Sequence, residues 1–302
     1  MALLDDIKFQ FKSGNILMQL IYINGGIFLA VMLLRLALFL VGQVGVFHDI
    51  AVQMTITADL SSLVWRPWSL LTHMFWHINP SQNTQGLQEF LHILFNMAWL
   101  YFGGSLFLNF MDSKRLLSTY ILGGLSGAAA YILAMNVFPV YSTNSVAYGA
   151  SAAVLAVMVA VATKAPNFVV QLRFIGPVKL KFVAIAVVLL DVVLMRDGNA
   201  GGHFGHLGGA LFGFVYASQL NAGRDLTVDF LKPLNWLKEG LPKREKKIKV
   251  VHRRAKSDYE YNAEKASKQE QIDAILDKIK RSGYDSLSKN EKEILFKSSK
   301  EI

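Results

Sequence analysis

The chain has 302 residues, 53% of them hydrophobic, with a mean hydropathy of +0.34 and a formal net charge of +9. That balance is too apolar for an ordinary soluble domain of this length and points to a bilayer protein. Cysteine is absent, which excludes a disulfide framework, a thiolate site and sulfur-ligated zinc.

Apolar runs suited to crossing about 30 Å of hydrocarbon fall at residues 15 to 41, 87 to 109, 116 to 136, 149 to 163, 179 to 195 and 203 to 221. Lys8 and Lys12 precede the first run as they would in a signal peptide. The run is too long for one and lacks a small-residue cleavage site, so it is read as a retained helix. Arg35, deep in that run, is read as structural, snorkelling or pairing within the bundle. The connection 42 to 86 is read as a long loop; its His73 and His77 have metal-like spacing but no third ligand nearby, which favours structural hydrogen bonding. Basic residues cluster in alternate connections: Lys8 and Lys12, then 112 to 115, then Lys164, Arg173, Lys179 and Lys181, then the tail. By the positive-inside rule both termini are predicted to be cytoplasmic.

Polar side chains inside spans are costly and are default candidates for a site. The second run carries His92 and Asn96, four apart and so on one helical face. The fourth opens with Ser151 in "YGASAA", and the sixth holds His203 and His206 in "GGHFGHLGGALFG". The second, fourth and sixth runs all go inward, so these groups are predicted at similar depth near the outer face. Ala152, Ala156 and Ala160 face Gly205, Gly209 and Gly213 in the expected packing: small residues every four positions let two membrane helices approach closely. That approach would bring Ser151 within reach of an imidazole. A serine, a histidine base and nearby N–H donors form the constellation of nucleophilic acyl transfer. Unpartnered N–H groups at the start of the fourth helix, with His92 and Asn96, are the candidate oxyanion donors. His203 is read as a loop or cap residue. Asp191 is expected at the outer interface, pairing with Arg196.

These residues resemble the rhomboid intramembrane serine proteases. The matching pieces are "WRPWSLLTHMFWH" (65 to 77), "HILFN" (92 to 96), "GGLSGAAAY" (123 to 131), "YGASAA" (148 to 153) and "HLGGALFG" (206 to 213), in the family's order across residues 15 to 221. The resemblance implies an all-α, polytopic bundle of six transmembrane helices. It implies a Ser–His dyad of Ser151 and His206, the latter chosen over His203 by the glycines at 209 and 213. His92, Asn96 and Gly149 would lie on the oxyanion and substrate-stabilising side, and Trp65 and Arg66 would match the first loop's tryptophan-arginine pair. That loop would lie partly in the outer leaflet, and substrates would enter between the second and fifth helices. No metal or organic cofactor is implied, and Asp191 is not expected as a third member of the site. Many bacterial members carry glycine after the serine and an aromatic residue one turn later that stacks on the imidazole; here Ala152 and Leu155 stand there.

The sequence divides into a membrane domain at 1 to 223, a basic linker at 224 to 256 and a small cytoplasmic helical tail at 257 to 302. The basic run 243 to 254 would either meet anionic headgroups or stay solvated. Ile272, Ile275, Leu276 and Ile279 have helical spacing, Gly283 is a stop, and Ser288 with Glu291 forms a capping box for a second helix. A cytoplasmic partner of this hairpin is one reading of its purpose; basic charge without interleaved aromatics gives no support for nucleic-acid binding. The overall expectation is an intramembrane endopeptidase of the cytoplasmic membrane acting on transmembrane segments of other proteins. The alternatives are a pseudoprotease that binds such clients without cleavage, and a transporter, for which the internal symmetry is missing.

Overall fold

Three of the long apolar runs begin at a side-chain cap, Asn15, Asp112 and Asn199. The computed structural model describes residues 11, 15 to 80, 86 to 195, 199 to 227 and 258 to 298, without the side chains of 258 to 264 and 297. The chain divides into two compact units, Met1–Leu241 and Pro242–Ile302. In the first, α1 spans Ile16–Leu40, with the Asn15 side chain accepting from the Met18 N–H at 3.2 Å and Gly42 turning the chain at φ 72°. Then come α2 (Val44–Met54), β1 (Ile56–Thr57), α3 (Leu60–Trp65), α4 (Ser69–Thr72) and a 3-10 turn, His73–Phe75. The long helices α5 (Gly86–Phe110) and α6 (Ser113–Val137) follow, then β2 (Val146–Ala147) and α7 (Ser151–Lys164). A hairpin of β3 (Val169–Leu172) and β4 (Gly176–Lys179) leads to α8 (Leu180–Leu194) and α9 (Ala200–Asn221).

All six expected runs are helices. Three of them, α1, α5 and α6, are long and apolar enough to cross a membrane. The other three are 14, 15 and 22 residues long, and α9 dilutes its apolar residues with six glycines and two histidines.

The first unit is organised around α7, eleven of whose fourteen residues are buried. A Cβ at Gly209 or Gly213 of α9 would overlap the carbonyls of Ala152 and Ala156, and one at Gly123 or Gly127 of α6 would overlap the Cβ atoms of Ala156 and Ala152. Glycine is therefore required on two sides of α7, and the backbones meet as small-residue faces allow. Gly205 departs from the expected face: its nearest neighbour is the Gly127 carbonyl on α6, at ordinary contact distance. The reason is that α9 wedges between α6 and α7 and divides its glycines between them.

Residues 42 to 80 are not a simple loop. The last carbonyls of a helix lack intrahelical partners, and at the end of α2 they are met by the "WRPWSLLT" stretch. Arg66 donates to the Val52 carbonyl at 2.8 Å, the Trp68 indole to Gln53 at 3.0 Å and the Thr72 hydroxyl to Met54 at 2.9 Å. Ile56 and Thr57 pair antiparallel with Ala147 and Val146, tying this segment to the chain just before α7. Arg35 pairs with Glu89 of α5 at 2.8 Å, so of its two expected fates it takes pairing within the bundle. Asn24, which was not singled out from sequence, is fully buried and donates to the Leu20 carbonyl and the Tyr120 hydroxyl.

In the second unit α10 (Asp258–Ser282) and α11 (Lys289–Ser298) follow the expected hairpin. Gly283 ends α10 at φ 76°. The capping box closes in both directions, Ser288 N–H to Glu291 Oε2 at 2.7 Å and Glu291 N–H to Ser288 Oγ at 3.3 Å. Lys278 reaches Glu291 at 2.9 Å, which holds the Glu291 carboxyl at about 2, through the Lys278 and Ser288 hydrogen bonds. The basic run 243 to 254 lies outside the described residues.

Candidate active site

Ser151 is the first residue of α7, and the two residues before it are held from both sides. Gly149 adopts φ 109°, in the region that favours glycine, and a Cβ there would meet the His92 ring at 2.7 Å. Its N–H donates to the His73 carbonyl at 2.8 Å. The next N–H, of Ala150, donates to His77 Nε2 at 3.3 Å. That assigns the His77 proton to Nδ1, which faces the Phe75 carbonyl at 3.3 Å. Burial, and then the nearby His92, push the His77 imidazole down to about 3, so it stays a neutral acceptor. The His73 imidazole makes its structural hydrogen bond within the loop, to the Ser69 carbonyl at 2.9 Å, while its backbone carbonyl and the His77 ring hold the turn that presents the serine.

With Gly149 and Ala150 so occupied, α7 begins with its dipole and its first N–H groups at Ser151; the Val154 N–H already bonds to the Ala150 carbonyl. Gly149 therefore contributes differently from the expected oxyanion role. Its own N–H is spent on His73, and what it supplies is a tight turn and space for the His92 ring.

Ser151 Oγ lies 2.6 Å from His206 Nε2. The close packing of α7 and α9 makes this contact, as the small-residue spacing led us to expect. Beyond it the structure adds two residues. His206 Nδ1 is 2.7 Å from Asp191 Oδ1, and His203 Nδ1 is 2.8 Å from the same oxygen. Asp191, only 7% exposed, therefore does not sit apart at an interface; Arg196, its expected partner, lies outside the described residues. A carboxylate on a membrane helix gains by turning inward to polar partners, and the two histidines supply them. His203 is more than a cap: its ring packs edge-on against His206, centroids 5.8 Å apart. Leu155 offers no ring to His206, and His203 supplies one from the same helix. The ligand atoms of Asp191, His203 and His206 lie within 4.8 Å of one another, a grouping that could also hold a metal ion.

These groups open into a cavity of about 680 Å³, whose lining includes His92 and Asn96 from α5, Ser151 from α7, Asp191 from α8 and His206 from α9. Asn96 donates one amide N–H to the His92 carbonyl at 2.8 Å; its Nδ2 carries a second. The His92 ring rests between those of His77 and Tyr148, at centroid distances of 5.3 and 5.7 Å. All five expected site residues, Ser151, His206, His92, Asn96 and Gly149, thus gather at one place. Trp65 does not join them, and Arg66 acts on α2. Chemically, the arrangement offers a hydroxyl aligned with an imidazole acceptor, N–H donors around it, and a half-open cavity beside them.

Residues 64–221 match the family model for the rhomboid domain, and residues 256–301 match a family of unknown function, DUF6576. The chain is 26% identical over 168 residues to the RHOMBOID-like protein 12, mitochondrial, of Arabidopsis thaliana, covering 52% of this chain and 47% of that protein. The chain therefore spans about half the length of the curated relative it matches.

Proposed function

The chain belongs to the rhomboid family, and from that premise we propose that it is an active intramembrane serine endopeptidase cutting transmembrane segments of other membrane proteins. The observation that carries this reading is the 2.6 Å contact between Ser151 Oγ and His206 Nε2 at the wall of a cavity. A protein that only holds its clients has no need of that alignment, which argues against the pseudoprotease alternative.

In the proposed reaction Ser151 attacks the scissile carbonyl while its proton passes to His206 Nε2. The tetrahedral oxyanion is met by N–H groups at the start of α7, helped by His92 and the second Asn96 N–H. His206 then protonates the leaving amine, and water arriving through the cavity hydrolyses the acyl-enzyme. A substrate helix enters laterally between α5 and α8, whose side chains flank the cavity.

Six membrane segments and cytoplasmic termini complete the proposal, in a cell's cytoplasmic membrane. Lys164, Arg173, Lys179 and Lys181 stand at the end of α7, in the following hairpin and at the start of α8, in keeping with a cytoplasmic face. With 14 residues α7 is about 21 Å long, against about 30 Å of hydrocarbon. Anchored at Lys164, it would leave Ser151 below the outer surface, where a water-filled cavity is needed.

The test is labelling of detergent-purified protein by a fluorophosphonate, together with cleavage of a model transmembrane substrate in proteoliposomes. Wild type is expected to label and cleave, and Ser151→Ala to do neither. Unchanged labelling of that variant, or no turnover by wild type in any lipid, would overturn the proposal.

A further inference from the structure

We propose that Asp191 is a positioning residue for His206, so that this chain works through a hydrogen-bonded chain of carboxylate, imidazole and hydroxyl rather than through serine and histidine alone. The inference rests on the protease reading above and deepens it.

The first support is the order of contacts. Asp191 Oδ1, His206 Nδ1, His206 Nε2 and Ser151 Oγ follow one another at 2.7 and 2.6 Å across the ring. An ionised carboxylate accepts hydrogen bonds and donates none. Its contact therefore requires the proton on Nδ1, which leaves the Nε2 lone pair facing the serine hydroxyl, the tautomer a general base needs. An imidazole tethered at both nitrogens also has no freedom to rotate away from Ser151.

The placement of Asp191 on α8 is the second support. The buried residues of that helix are Leu180, Val183, Ala184 and Asp191, while its neighbours Leu189, Leu190, Val192 and Val193 are exposed. At the end nearest the site, α8 thus turns its carboxylate into the cavity beside Val187, Leu190 and Leu194, while Leu189, Val192 and Val193 face away. His203 is the third support. Its Nδ1–H occupies the same oxygen at 2.8 Å and its ring stands edge-on to His206, so the carboxylate is itself held, and the imidazole has a ring neighbour that Leu155 does not provide.

When the Ser151 proton moves to Nε2, the imidazolium forms 2.7 Å from a carboxylate that keeps its charge. The proton later goes from Nε2 to the leaving amine, and Asp191 ends as it began.

The experiment compares wild type, Asp191→Asn and Asp191→Glu in proteoliposomes with a model transmembrane substrate. Asp191→Asn is expected to lower kcat by about a hundredfold with KM within about twofold, because the carboxylate acts only as charge develops on His206. The rate of fluorophosphonate labelling should fall with kcat, and Asp191→Glu should retain more activity than Asn. A purely structural role would instead lower the melting temperature and the active fraction without a selective fall in kcat. An unchanged kcat in folded Asp191→Asn overturns the proposal, and so does activity lost to a chelator and restored by Zn²⁺, since a metal on Nδ1 would displace the proton invoked here. Should the Asn variant not fold, nitrogen-15 histidine spectra of wild type decide: the Nδ1–H tautomer at His206 is expected, and the Nε2–H tautomer overturns the proposal. Those spectra are independent of turnover. A wild type that neither labels nor cleaves therefore defeats the protease reading while the role of Asp191 is still judged.

Discussion

The two helices that bring the nucleophile and the carboxylate together are built in opposite ways. In α7 eleven of fourteen residues are buried, between glycine faces of α6 and α9 that leave no room for a side chain. In α8 four of fifteen are buried, and its outward face is a row of exposed aliphatic residues. The serine therefore stands on a helix that cannot shift without overlapping its neighbours. The acid stands on one held by few apolar contacts, at the side where the cavity opens. A rigid serine beside a weakly packed wall suits the proposed protease, which would have to admit a whole helix without losing alignment at Ser151.

This contrast can be broken most directly at the α7–α9 seam. Gly209→Ala should destabilise the protein by about 2 to 3 kcal/mol, because the new Cβ meets the Ala152 backbone, which cannot move aside; thermal unfolding in detergent measures it. Gly205→Ala, four residues earlier on the same helix, should cost less than about 0.5 kcal/mol or stabilise slightly, since its Cβ finds ordinary contact and alanine favours helix. Equal losses at the two positions would contradict the seam described here. Next in size is His77→Phe, which strips the Ala150 N–H of its acceptor and should cost about 1 to 2 kcal/mol, slowing fluorophosphonate labelling of Ser151 as the turn loosens. Val193→Ala on the exposed face of α8 should change stability by no more than about 0.5 kcal/mol.

The smallest effect lies in the second unit, where Ile275 and Leu287 are the buried apolar residues among those described. Hydrogen bonds from Lys278 and Ser288 lower the Glu291 carboxyl from its ordinary 4.5 to about 2. A lowered carboxylate value means that its contribution is complete above the ordinary range and is lost as pH falls towards 2. The Ser288 amide proton, which donates to Glu291, should report that midpoint by NMR, and a midpoint near 4.5 would show that the capping box is open.

Much of the fold was legible because hydrophobic runs and glycine spacing are local signals. The windows drawn from hydropathy overlap all six helices, and the Ser288–Glu291 box was readable from a three-residue interval. Ser151 and His206 were legible through the motifs around them. What stayed hidden was contact between residues far apart in sequence: Arg35 with Glu89, His77 with Ala150, and the docking of 65 to 72 on the end of α2. A signal for the last was present, since "WRPWSLLT" holds five donor side chains in eight residues, three of which, Arg66, Trp68 and Thr72, are used here, but nothing local said which carbonyls needed them.

Order along the chain was therefore enough to determine where helices form and, through the motifs around them, which serine and histidine could meet. Only packing decided that Gly205 and Gly209 serve different neighbours, that Gly149 makes room for a ring and gives its N–H to the His73 carbonyl, and that Asp191 turns inward to both histidines. The physical reason is that helix formation depends on intervals of three and four residues. Which buried donor meets which acceptor depends on how helices are rotated against one another, and no single interval encodes that rotation.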